Sequence, residues 1–314
     1  MENKKSIDFK NIFIVFGAGL ALLIPIRLYQ LFFITEENKS GFFTHINASV
    51  YVFYGLLVVF AAVLLALVSM TNKVTASKSV RGKSKALALS AGLFALGIAY
   101  DVAVSASLFI KSLFSFSSAT GVVAYLFSNG MLAVALEAVC GLLACIYFIL
   151  FTLSYSDGKT TYYDYKLLAI MPLFWSMFRM VRRFMTKISF SMVADLMLEL
   201  AMLAFMMLFF MSFARISSQI CQKNEMRKAM KYGMVSGFIA LLSGVTRLAV
   251  TVCGKSDLLA ESFDFIPADL FYGVFTICYI YACSKTGRDA SEDDLLPDAY
   301  DEPENVIDDD FLDN

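Results

Sequence analysis

Eight apolar blocks, separated by short polar stretches, occupy most of this chain. They fall at about 11–34, 48–70, 86–110, 122–154, 167–186, 190–213, 232–253 and 267–284. A helix needs about 20 mostly apolar residues to cross the hydrocarbon core of a bilayer. The pattern therefore predicts an all-α integral membrane protein with about eight transmembrane helices. The fourth block is overlong, so part of it is expected to extend beyond the membrane. The fifth is interrupted by Arg179, Arg182 and Arg183.

Basic residues in short loops set the orientation. With the N-terminus inside, the cytoplasmic segments hold fifteen Lys and Arg and the outer segments six. The stretch 71–85 weighs most, with five bases and no acid. Both ends are thus expected in the cytoplasm. Arg182, Arg183 and Lys187 run against this rule at the outer end of block five. Either they meet acidic partners inside the protein, or block five does not cross and seven spans remain. The basic stretches at 71–85 and 214–231 flank four apolar blocks. An even number favours eight.

Composition agrees with lipid-facing helices. The chain of 314 residues is 59% hydrophobic and 17% charged, with 30 Phe and 16 Met. Soluble domains carry about 25% charge. The net charge of −1 conceals an asymmetry: residues 285–314 hold 12 acids and 2 bases. Residues 1–284 thus read as the transmembrane domain and 285–314 as an acidic, disordered cytoplasmic tail. That tail is either an idle solvated terminus or a docking segment for a cytoplasmic protein. The N-terminal block is longer than a signal-peptide core and lacks an A-x-A site, so it reads as the first span.

Ten ionisable residues lie in or beside the blocks: Arg27, Arg179, Arg182, Arg183 and Arg247 against Asp101, Glu137, Asp195, Glu199 and Asp269. Each costs about 2.5–3.5 kcal/mol at a helix centre. Unpaired, ten would cost roughly 25–35 kcal/mol on that scale, beyond the ~5–15 kcal/mol stability of a typical domain. They are expected to pair, line a wet cavity or sit near the interface. Helix rise places most of them in the outer half of the bundle. Glu137 has no secure depth, because its block is overlong. Asp195 and Glu199 share a face by their i, i+4 spacing, as do the three arginines of block five. These two stripes, on consecutive antiparallel helices, are the first expected contact.

The even blocks also align on Gly141 and Gly273, with Glu137, Glu199 and Asp269 in one column. The odd blocks align on Arg27, Asp101, Arg179 and Arg247. Four helical-hairpin repeats would produce these columns, and so would chance resemblance among apolar helices.

Motifs for chemistry are scarce. His45 is the only histidine, which excludes an intramembrane His metal site, a Ser-His-Asp triad and a Cys-His dyad. Asp101 and Asp269 lack the glycine pattern of GxGD proteases. No Walker A, GxGxxG, HExxH, DRY-like or NPxxY-like motif occurs. The six cysteines form no CxxC pair and read as free thiols. Pro25, Pro172 and Pro267 kink or open helices. No cofactor, metal or nucleic-acid partner is expected, and the chain does not read as an enzyme. The leading expectation is transport or sensing of a small polar solute in the plasma membrane of a bacterium. The alternative is a structural or partner-binding membrane subunit whose ion pairs are architectural and whose acidic tail docks a cytoplasmic partner.

Overall fold

Each apolar block contains a helix, and the helix ends follow local chemistry more closely than the apolar blocks do. The computed structural model describes residues 9–36, 43–44, 48–70, 83–114, 130–158, 164–185, 193–218, 225–259 and 263–289. The basic stretch 71–82, His45, Lys187, Cys221 and the acidic tail from residue 290 lie outside the described residues. The helices are α1 (Phe9–Phe33), α2 (Ala48–Met70), α3 (Lys85–Phe114), α4 (Met131–Asp157), α5 (Met171–Met185), α6 (Val193–Ser217), α7 (Glu225–Val252) and α8 (Pro267–Asp289). Among the described residues there is no β-strand, only an isolated bridge between Thr35 and Phe43.

Six of these helices, all but α5 and α8, are long and apolar enough to cross a membrane. The apolar part of α8, Pro267–Cys283, is shorter. α5 has 15 residues and three arginines. The molecule is thus an all-helical membrane protein on length and composition, and large apolar side chains such as Val58, Leu96, Val139 and Leu153 lie exposed on its surface.

The overlong fourth block is not one helix. Gly130 adopts φ 68° at the start of α4, and Gly158 adopts φ 76° at its end. A left-handed residue breaks the helical hydrogen-bond ladder, and glycine bears it without a Cβ clash. Residues 122–129 lie outside the described residues, and Glu137 sits seven residues into α4.

Helices α3 to α8 contact one another in sequence, and α8 closes back on α3. α7 is the most enclosed, with 67% of its apolar window buried. α1 and α2 pair with each other and lean on α7 from outside the ring, with only 28% and 22% buried. Ring closure depends on glycine. A Cβ on Gly97 would stand 2.8 Å from the Ala268 Cα, so the α3 and α8 backbones touch there. Small residues serve this role where helices meet in lipid.

Aromatic side chains fill the ring interior away from the charged residues. Phe94, Phe148, Phe210, Phe213, Tyr272 and Phe275 are each under 2% exposed. Phe94 meets Phe148 edge-on with ring centroids 4.7 Å apart, and Phe148 meets Phe275 at 5.1 Å. Such pairs add about 0.5–1.5 kcal/mol each beyond the area they bury.

Candidate functional site

The helices that run toward one end of the ring deliver basic groups, and those that start there deliver acids. Arg27, Arg179 and Arg247 lie in the last two turns of α1, α5 and α7. Glu137, Glu199 and Asp269 lie in the first two turns of α4, α6 and α8, and Asp195 precedes Glu199 by one turn. Asp101 enters from the middle of α3. All ten residues of the sequence reading therefore gather at one end.

α5 organises them. Its buried residues are Pro172, Trp175, Ser176, Arg179 and Arg183, spaced at three and four along one face. Val181 and Phe184 on other faces are exposed. The helix is inside-out, with its most polar stripe toward the protein and its apolar flank outward. Arg179 is fully enclosed. Its two Nη groups donate to the two carboxylate oxygens of Asp269 at 2.6 and 2.8 Å, the bidentate fork that suits guanidinium and carboxylate. Its Nη2 also stands 3.6 Å from Glu199 Oε1, and its guanidinium carbon is 5.6 Å from the Trp175 ring centre.

Arg183 completes the α5–α6 contact. Its Nε and Nη2 both lie 2.8 Å from Glu199 Oε1. The expected meeting of the two stripes is therefore half right. Glu199 receives Arg183 and the flank of Arg179, but Asp195 pairs with Arg27 of α1. Asp195 lies one turn closer to the end of the bundle, where the Arg27 side chain reaches it. Arg182 turns away as well, toward α4, with Nε 2.8 Å from Glu137 Oε2. Successive residues on a helix point about 100° apart, so Arg182 cannot face the same acid as Arg183.

Trp175 was not singled out in the sequence. It is the chain's only tryptophan, is fully buried, and donates its indole N–H to Asp101 Oδ2 at 3.0 Å. Its position four residues before Arg179 was the available signal. Gly141 makes room for the ring: a Cβ there would meet Val102 Cγ2 at 2.7 Å and Trp175 Cδ1 at 2.9 Å.

The α1 side is more open. Arg27 donates to Gln30 Oε1 at 3.1 Å, and Gln30 Nε2 donates to the Ser49 carbonyl at 2.9 Å, tying α1 to α2. The rings of Phe53 and Phe43 lie 5.5 and 5.9 Å from the Arg27 guanidinium. The bond from Thr44 N–H to the Ile34 carbonyl, 2.8 Å long, folds Phe43 back over it. Between Arg27, Asp195 and Arg247 lies a cavity of about 20 Å³, walled also by Ser243, Thr246 and Phe263. A water needs about 10–15 Å³ by this measure, so one or two water-sized groups fit.

A second polar clamp closes the far end. Glu225 at the start of α7 is almost fully enclosed and accepts from Arg215 Nη1 at 3.0 Å and Lys228 Nζ at 2.9 Å. Among the described residues, no group of three or more His, Cys, Asp or Glu is placed to hold a metal. No protein-family model matches the chain, and neither does any curated protein or solved structure.

Proposed function

We propose that this chain is a multi-pass protein of the plasma membrane that binds a small polar solute for transport or sensing through the charged cluster. The observation that carries this reading is the convergence of ten ionisable residues from seven helices on one end of the bundle, beside a cavity that reaches the surface. Intramembrane charges are costly to insert, and function is the usual reason for them. All eight helices span in this reading, with both ends in the cytoplasm and the cluster in the outer half. α5 together with the 3₁₀ turn Leu168–Ile170 before it covers about 28 Å at their usual rises, close to the ~30 Å core. The helices form four hairpins of one repeat each, which would bring the Arg27, Asp101, Arg179 and Arg247 column and the Glu137, Glu199 and Asp269 column to the same end, facing each other.

A second reading is favoured by one observation: the Arg179–Asp269 fork is enclosed, with both carboxylate oxygens engaged by Arg179. The cluster is then architecture, and the chain is a structural subunit whose acidic tail docks a cytoplasmic partner. Thermal unfolding of the purified chain against a panel of amino acids, sugars, carboxylates and quaternary amines separates the two. The solute reading expects at least one member to raise the transition, and Arg247→Gln to abolish that rise. A flat panel, together with loss of partner capture on deleting residues 288–314, supports the subunit.

A further inference from the structure

Matched one to one, the cluster leaves two charges over. Arg179 takes Asp269, Arg183 takes Glu199, Arg182 takes Glu137 and Arg27 takes Asp195. Arg247 and Asp101 remain. They do not serve each other: Asp101 is held by the Trp175 indole, whereas Arg247 projects from α7. Arg247 Nη2 comes no closer than 3.6 Å to Glu199 Oε2, beyond the usual reach of a hydrogen bond. Arg183 engages the other oxygen of that carboxylate, Oε1, at 2.8 Å, so Arg247 meets Glu199 only through this longer ionic contact. A guanidinium carries five donors in a fixed fork. This one sits over the Phe263 ring at 5.5 Å with its residue only 7% exposed.

The cavity lies against this under-matched cation. Arg247 and Arg27 both line it, and among the described residues that line it Asp195 is the one acid. The Ser243 and Thr246 hydroxyls donate to the Ile239 and Leu242 carbonyls of their own helix at 2.9 Å each, so the guanidinium groups are the donors that face the space. We propose that this cavity binds a small monovalent anion, of halide or carboxylate size, against Arg247 with Arg27 as the second cationic wall. Size and charge both point to that class. About 20 Å³ admits one or two water-sized groups, the size of a halide or of the carboxylate end of a small acid. Two guanidinium groups face one carboxylate among the described lining residues, a difference that one negative charge balances, while a dianion would leave a charge unmatched beside Asp195. The assignment rests on the solute-binding reading and narrows its substrate class.

The full chain, purified in a neutral detergent in sodium gluconate, is titrated with sodium chloride, sodium acetate or sodium sulfate while thermal unfolding is followed. Chloride or acetate should raise the transition saturably, with half-saturation about tenfold or more below that of sulfate. Arg247→Gln should weaken this by about tenfold to a hundredfold, the worth of a charge-assisted hydrogen bond, and Arg247→Lys by less. Ser243→Val narrows the cavity without removing a charge, so it keeps the test decisive if Arg247→Gln fails to fold; it too should lose the response. Equal transitions in gluconate, chloride and acetate, sulfate as effective as chloride, or a folded Arg247→Gln or Ser243→Val with the full response would each overturn the anion site. Stabilisation by glycine or tetramethylammonium but by neither small anion would overturn it and leave the solute reading standing. A transition unmoved by all of them would overturn both.

Discussion

Arg179 and Asp269 lie ninety positions apart in sequence and meet through two parallel hydrogen bonds of 2.6 and 2.8 Å. The pair fastens the short helix α5 to the first turn of α8, which α5 does not follow in the chain. Both side chains are enclosed, at 0% and 3% exposure. Removing one partner leaves the other as an uncompensated buried charge. Asp269→Asn or Arg179→Gln should therefore each cost roughly 3–5 kcal/mol. The double substitution should cost less than their sum, because the pair acts as a unit. Denaturant unfolding of the purified variants measures all three.

The Arg182–Glu137 pair predicts an asymmetry. Arg182 retains 17% side-chain exposure and Glu137 only 1%. Glu137→Gln frees an arginine whose long stem can carry its charge outward. Arg182→Gln strands a carboxylate with no such route. Arg182→Gln should thus be the more destabilising substitution, which a comparison of the two unfolding midpoints will show.

Trp175 reports on the cluster without a label, because the chain has no other tryptophan. Its fluorescence should be that of an enclosed indole. Asp101→Ala removes the acceptor of the indole N–H and should shift or quench the emission while helicity by circular dichroism holds. Asp101→Asn keeps a carbonyl acceptor and should change it less. The unmatched N–H should cost about 1–3 kcal/mol.

Glycine contacts at two points differ in what they press on. A methyl group at Gly97 meets backbone, the Ala268 Cα at 2.8 Å, whereas one at Gly141 meets the side chains of Val102 and Trp175. Side chains can yield and packed backbones cannot. Gly97→Ala should cost more than Gly141→Ala, each within the roughly 1–3 kcal/mol of an overpacked core. Gly141→Ala alone should also perturb the Trp175 emission.

The helices were legible because apolar length is written along the chain, and the ten charges because they interrupt it. The i, i+4 rule placed Arg179 with Arg183 and Asp195 with Glu199, since it concerns one helix at a time. It could not assign Asp195 to Arg27 or Asp269 to Arg179. Those pairings are long-range and depend on how the separate helices assemble, which spacing along one helix does not encode. Gly130 sets the start of α4 inside an unbroken apolar run, and apolar character carries no information about a positive φ. α7 begins at Glu225, ahead of the apolar block expected from 232, because a polar turn with its own Arg215 and Lys228 partners extends the helix past the lipid-like stretch.

The packed rings of Phe94, Phe148, Phe210, Phe213 and Phe275 have an electrical consequence. A proton crosses a membrane along a file of hydrogen-bonded groups, and phenyl rings offer none. The hydroxyls of Tyr272 and Ser236, paired at 2.6 Å beside these rings, make only a short segment of such a file, and the phenyl rings are expected to interrupt it. Vesicles containing it should hold a pH gradient as long as protein-free vesicles do, unless a bound solute parts the rings.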